Sequence, residues 1–221
     1  MTVKTETFDI QKFTPRQYEV LEQALRLLVE GGDRALTTSG LARAANCSKE
    51  SLYKWFGDRD GLLAAMIAYQ ASKVRTSERS GERLTEDLLK QNLEQFARDL
   101  LEVLAGDVSL ALNRLAIGQT SRDGSKLGKL LVEHGRSQID RRAIALIDAG
   151  KRAGYLRFDK ADIAYHTLYG LIVSDLHVRL LLGEPGPKDS SRQAERAVDA
   201  FLSLHGASKT AASAHSASAG R

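Results

Sequence analysis

Residues 37–59 leave few folds open to this chain. Thr37 is placed to cap a helix, because its hydroxyl can accept a hydrogen bond from an orphan amide of the first turn. Leu41 then faces a core, and Ala44 and Ala45 are small enough for a second helix to cross closely. Asn46 stands where the chain must reverse, and Asn tolerates the left-handed backbone that such a turn often needs. Ser48 is placed to cap the next helix, in which Leu52 and Phe56 lie four apart and share a face. Lys49, Glu50, Ser51, Tyr53, Lys54 and Trp55 are left for the other faces, and most of them can hydrogen-bond. Two short helices of which the second is polar, partly basic and partly aromatic have the form of a helix-turn-helix.

The flanks agree. Thr14-Pro15 opens a first helix with a capping hydroxyl and a proline at the first helical position. Tyr18, Leu21, Leu25 and Leu28 form its apolar stripe, and Gly31-Gly32 is expected to end it near Glu30. Asp58 can cap a fourth helix that begins near Arg59, with Leu62, Leu63, Met66, Ile67 and Tyr69 on its apolar side.

Beyond Arg83 the chain reads as helices throughout. Leu84 to Leu104 is one, closed by Gly106, with Asp107 a candidate cap for the next, which runs to about Gln119 with Leu112, Leu115 and Ala116 inward. A short helix from Ser125 to Glu133 and a separate one from Ser137 to Ala153 follow, with Gly154 a left-handed C-terminal residue. Asp159 is expected to cap a single long helix from Lys160 to about Leu182. Ile163, Ala164, Leu168, Leu171, Ile172, Leu176, Val178, Leu180 and Leu181 cover most of its circumference, and a helix apolar nearly all round must be buried on more than one side. A second copy of the chain is the simplest supply of the extra cover; the alternative is a core helix in a monomer. Pro185 and Pro187 break the pattern, and a last helix restarts at Ser190 or Ser191 with Ala194, Ala197, Val198, Phe201 and Leu204 as its stripe.

The motifs carry a resemblance. Gly31-Gly32, Thr37-Thr38, Leu41-Ala42, Ser48, Leu52-Tyr53, Phe56, Arg59 and Leu62-Leu63, in that order and spacing, resemble the DNA-binding region of the tetracycline-repressor (TetR) family of bacterial regulators. The chain departs from that family's common residues at Asn46, Cys47, Trp55 and Arg59. From Asn113-Arg114-Leu115 to Leu182-Gly183 it is similar, more weakly, to the AefR-like C-terminal domain of some TetR relatives. The fold this implies is all-α. It comprises a flexible arm at 1–13, a three-helix helix-turn-helix domain at 14–57 and a connecting helix at 58–80. A helical ligand-binding and dimerisation domain at 81–205 and a disordered Ala/Ser-rich tail at 206–221 complete it.

The resemblance also assigns residues. Thr38 and Ser39 go to phosphates or base edges, and Lys49, Glu50 and Ser51 to base reading in the major groove. Tyr53, Lys54, Trp55 and Arg59 go to the DNA backbone. The chemistry is consistent, since Lys can donate to guanine and a carboxylate can accept from cytosine, while Tyr, Lys and Arg hold phosphates. The alternative for Tyr53 and Trp55 is packing on neighbouring helices, and for Lys49 a solvated charge. In the body, the polar candidates for an effector pocket are Asn113, Gln119, His134, Tyr165, His166 and Tyr169, set among apolar lining that suits an apolar or amphipathic small molecule. Leu168, Leu171, Ile172, Leu176, Ala197 and Phe201 are expected at the dimer interface. Two copies of the reader spaced by one helical turn of DNA would recognise a palindrome. A ligand that binds the DNA-incompetent form better would release it.

Composition excludes other classes. At 221 residues there is room for one or two domains and a sizeable core. A net charge of +4 is compatible with a polyanionic partner. One cysteine, Cys47, excludes an internal disulfide and suits a reducing cytoplasm. The N-terminus has no apolar signal region and no run approaches membrane-spanning length, so no membrane partner is expected. Asp162 and His166 lie four apart and could be imagined as an acid and base or as metal ligands. No second cluster completes a four-ligand set, and no phosphate-binding glycine loop or nucleophile elbow is present. The expected function is therefore that of a homodimeric, ligand-responsive DNA-binding regulator without cofactor or metal. The competing readings are an interaction module that lost DNA binding, and an enzyme.

Overall fold

The computed structural model describes residues 13–76, 83–120, 125–186 and 189–207, so all of the expected arm at 1–13 except Phe13, and all of the expected tail at 206–221 except its first two residues, lie outside the described residues. The chain is all-α. The N-terminal unit is α1 (Pro15–Ala35), α2 (Thr38–Ala44), α3 (Lys49–Phe56) and α4 (Arg59–Ser72). The body is α5 (Glu86–Ala105), α6 (Asp107–Gly118), α7 (Lys126–Leu130), a π-helical turn (Leu131–Arg136) and α8 (Ser137–Arg152), followed by α9 (Ala161–Val173), α10 (Leu176–Leu181) and α11 (Ser190–His205). An isolated antiparallel bridge between Leu156 and Gly206 is the β pairing among the described residues.

Local chemistry sets the N-terminal boundaries. Thr14 and Gln17 form a reciprocal capping box with Pro15 at the first position of α1. Thr37, Ser48 and Asp58 each accept from the amide three residues on, opening α2, α3 and α4. α1 reaches Ala35 by hydrogen bonding, but Gly32 breaks it with φ +65°, so the expected glycine stop is a kink inside the element. α2 and α3 are too short to persist alone. Leu41, Leu52 and Phe56 join Val20, Leu21, Ala24 and Leu28 of α1 in one core, and full burial of each large side chain contributes roughly 1.5–3 kcal/mol. That core does not stop at the expected domain boundary, since Leu112 and Ala116 of α6 and Leu127 of α7 belong to it.

The second core holds α5, α8, α9, α10 and α11 together with Leu110 of α6, Ala71 of α4 and Val74 just beyond it. Gly150 lets α8 close on its neighbours: a methyl group there would come within 2.8 Å of Leu89 and 2.9 Å of Leu156. Asp99, buried in α5, holds the segment after α4 by accepting from the Arg75 backbone amide at 2.9 Å and from its guanidinium.

Several expectations are corrected. Asp107 is the first residue of α6, not its cap, and Lys160 rather than Asp159 stands at the N-terminal cap of α9, with no side-chain bond at either end. The expected break between Glu133 and Ser137 is absent. α7 runs through the π turn into α8, and Gly135 within that turn leaves room for Ile67 of α4, which sits 3.1 Å from where a Cβ would be. The expected single helix from Lys160 to Leu182 is two. Ser174 breaks it at φ +46°, ψ −126°, and Gln193 of α11 donates at 2.8 Å to the Ile172 carbonyl near that break. Gly206 and Ala207, the first two residues of the expected tail, are pinned, with the Ala207 amide donating to the Tyr155 carbonyl at 2.9 Å.

Candidate nucleic-acid interface and internal cavity

The turn between α2 and α3 is built as the residues suggest. Asn46 takes φ +49°, and the Cys47 amide closes back on the Ala42 carbonyl at 2.9 Å. Arg16 of α1 clamps this turn from below, donating to the carbonyls of Ala45 and of Asn46, the latter at 3.0 Å. Arg16 was invisible as a turn residue in the sequence, because its partners lie far along the chain and are backbone atoms.

α3 presents a polar outer face. Lys49, Glu50 and Lys54 are exposed, and Tyr53 keeps 57% of its surface open. Ser51 is half-buried and its amide is held by Ser48 at 3.1 Å. The Glu50 backbone amide, assisted by the Ser48 hydroxyl, holds the Glu50 carboxyl below the usual carboxylate range, so it is an acceptor near neutral pH. Thr38 and Ser39 stand half-buried and exposed at the start of α2. These residues form one accessible surface of donors and acceptors.

Two of the residues assigned to the DNA backbone sit differently. Trp55 is half-buried against the N-terminal core and meets Phe56 edge-on at 6.3 Å, so the packing alternative describes it. Arg59 donates at 2.8 Å to the Leu36 carbonyl and pairs with Asp33. Its charge is engaged in holding the α1–α2 turn against α4.

α4 is tied at several points between the two cores. Near its end, the Tyr69 hydroxyl donates to Glu22 of α1 at 2.9 Å, and burial with that carboxylate pushes its pKa up to about 12. The Arg142 guanidinium of α8 donates to the Ala71 carbonyl at 2.6 Å. At its start, Asp60 pairs with Lys126 of α7.

Beside α4 lies a cavity of about 430 Å³, within the range of small-molecule sites. α4, α5, α6, α9, the π turn and α10 all line it, mostly with aliphatic side chains. Of the expected pocket residues, Asn113, Tyr165 and Tyr169 line it. His134 is buried in the π turn away from the lining, and Gln119 and His166 are exposed. The His166 ring contacts the Asp162 carbonyl oxygen at 2.7 Å, not its carboxylate, so the imagined acid–base pair is an intrahelical backbone contact. The sequence reading missed Gln70, Arg136, Asp140 and His177, which face the cavity from helices that only the tertiary fold brings together. Within it Tyr165 donates to Asp140 at 2.5 Å, Arg136 stands 3.7 Å from Asp140, and Arg136 lies over the Tyr169 ring at 5.2 Å.

Of the expected interface residues, Leu168, Ile172, Leu176, Ala197 and Phe201 are buried in the protomer's own core, and only Leu171 stays partly open. The reason is the packing of the body: α8, α11 and α5 cover α9, and α11 itself lies on α5 and α9. α10, set off from α9 at Ser174, brings Leu176 into the same core, so these side chains find their cover within the chain. Ile163 and Val178 remain 60% exposed.

Comparison with known proteins agrees with this geometry. Residues 20–66 match the family described as bacterial regulatory proteins, tetR family, and residues 91–207 match the AefR-like transcriptional repressor C-terminal domain. The crystal structure of a TetR transcriptional regulator from Agrobacterium tumefaciens is 70% identical, with a TM-score of 0.79 over 89% of this chain and 97% of that one. The flavonoid-responsive regulator FrrA shares the fold at 23% identity and a TM-score of 0.62, over 86% of this chain and 97% of that one. An uncharacterised HTH-type transcriptional regulator, YvkB of Bacillus subtilis (strain 168), is 24% identical over 74% of this chain and 85% of its own length. No helix among the described residues is long and apolar enough to cross a membrane. The capped reader, the connecting helix and the helical body thus place this chain in the TetR family: it is a DNA-binding transcriptional regulator with an AefR-like C-terminal domain, and regulators of this family are not enzymes.

Proposed function

We propose that the chain acts in the cytoplasm as a homodimeric repressor that leaves a palindromic operator when an apolar or amphipathic small molecule enters the cavity beside α4. The observation that carries this reading is the position of α4, which begins at the reader and ends bonded to the body while forming one wall of the cavity. A ligand that favours one placement of α4 shifts the spacing of two readers, and it does so only by binding that placement better. Lys49, Glu50 and Ser51 read base edges, with Thr38 and Ser39 at the start of α2 supporting them. Tyr53 and Lys54 hold phosphates. Two readers one helical turn apart recognise the two half-sites.

The dimer forms through the outer face of α9 and α11. Ile163, Thr167, Gly170 and Leu171 follow one another on the open side of α9, and Leu171 shares a shallow groove with Ala200 of α11. The test is fluorescence-anisotropy titration of the chain's own upstream region over a range of salt, with and without added ligand. Sequence-selective binding with a salt slope reporting several phosphate contacts is expected. Equal affinity for unrelated DNA would contradict the reading. The interaction-module alternative finds no support in a reader face that keeps Lys49, Tyr53 and Lys54 open.

A further inference from the structure

We infer that the cavity takes an uncharged, largely apolar molecule bearing a carbonyl or hydroxyl oxygen, which the Gln70 amide and the His177 imidazole bind by hydrogen bonds. This rests on the reading of the cavity as the effector site. Among the described residues, Gln70 Nε2 and His177 Nε2 are buried side-chain nitrogens without a hydrogen-bond partner, and both residues line this cavity. Buried polar groups are otherwise satisfied almost everywhere in folded proteins, so two orphans in one cavity wall mark where a partner is missing. Both nitrogens are buried from the surface. The terminal torsions of Gln and His are soft, so only a turn about each is needed for the nitrogen to meet a ligand in the cavity.

The other polar groups of the wall are already matched to one another. Asp140 accepts from Tyr165 at 2.5 Å and faces Arg136, whose guanidinium lies on Tyr169, while the Asn113 amide donates to the Ser109 carbonyl at 2.8 Å. Arg136 and Asp140 cancel in charge, so an ionised ligand would find no free countercharge and would lose its hydration. Ile67, Leu100, Val103, Leu112, Leu131 and Ile139 supply apolar wall. The orphaned nitrogen of the Gln70 amide is a donor, and an acceptor oxygen on the ligand satisfies it. Burial lowers the His177 pKa, and the neutral ring donates or accepts according to its tautomer, which suits a hydroxyl. Gln70 belongs to α4, so the first of these bonds acts on the helix that carries the reader.

Four probes on one diphenyl skeleton test this by calorimetry with the full chain: diphenylmethane, benzophenone, para-hydroxybenzophenone and para-benzoylbenzoate. The hydroxyketone is expected to bind most tightly and the ketone next. The hydrocarbon should be about tenfold weaker than the ketone, a difference of about 1.4 kcal/mol, and the carboxylate weakest. In Gln70→Leu and Gln70→Met the ketone should fall to the level of the hydrocarbon while hydrocarbon affinity stays unchanged. In His177→Leu the advantage of the hydroxyl should vanish. Thermal midpoints of the three empty variants should hold or rise, because each substitution removes an unsatisfied polar group. An undiminished ketone advantage in both Gln70 variants, a preference for the carboxylate, or binding of none of the four would overturn the inference. So would lowered midpoints with equal loss of all four probes. Operator binding by the same preparations without probe tests the regulator reading separately, so the two can fail independently.

Discussion

Lys49 and Arg59 are both exposed cations of the reader, yet their surroundings give them different roles. Lys49 stands at the first position of α3 with its side chain open, whereas Arg59 is held by the Leu36 carbonyl and Asp33. Lys49→Ala is expected to remove about 1–3 kcal/mol of discrimination between operator and mismatched DNA, read by anisotropy, while the thermal midpoint stays unchanged. Arg59→Ala is expected to do the reverse, lowering stability by about 1 kcal/mol, since the pair is half-exposed and screened, without reducing the salt slope of DNA binding. A slope reduced by about one unit would restore Arg59 to the phosphate contacts. The basic character of both residues was legible in the sequence. Which of them is free was not, because the partners of Arg59 are a carbonyl and a carboxylate brought close by the α1–α2 turn.

At the scale of the element, short-range chemistry was the readable part. Thr14, Thr37, Ser48 and Asp58 each cap the helix expected of them, because a cap needs only a side chain and the amide three residues on. Ser48→Ala is expected to cost about 1 kcal/mol, and Ser48→Asp to recover it, measured by thermal melting, with operator binding falling in parallel for Ser48→Ala as α3 frays. The π turn at Leu131–Arg136 and the break at Ser174 were unreadable. Both depend on a side chain from elsewhere: Ile67 occupies the space that Gly135 leaves, and Gln193 satisfies a carbonyl at the break. The apolar residues expected at an interface are core instead because α5, α8 and α11 close around α9 from distant parts of the chain. A helix apolar all round states how much cover it needs, not whose.

For the whole molecule, buried ionisable groups set the response to acid. Burial lowers the pKa of His134, against the opposing pull of Glu133, and of His177, so both are neutral in the fold. Below about pH 6.5 the unfolded chain binds protons that the folded chain resists, so stability present above that value is lost as pH falls. Asp99 extends the loss. Burial would raise its carboxyl, but Arg75 and Gln95 together hold it below the usual range, so its contribution is complete above that range and disappears as pH drops through it. Urea midpoints should therefore be level near pH 7.5, decline between about pH 6.5 and 5, and fall further toward pH 3; a midpoint rising with acidity would reverse the sign. For the assembly, Ala200→Arg is expected to give monomers in sedimentation velocity and to weaken operator binding at least about tenfold, since the two half-sites are then bound separately.

Sequence alone determined the helical class, the capped helix-turn-helix and the polar face of its second helix. Each of these follows from spacing, capping and periodicity within a turn or two of the chain. The tertiary structure decided which cations are engaged, where the long apolar helix breaks and how the body closes on α4. It also decided which polar groups meet in the cavity. Gln70 and His177 lie far apart in the chain, and a missing hydrogen-bond partner becomes visible only once the walls around it have been assembled.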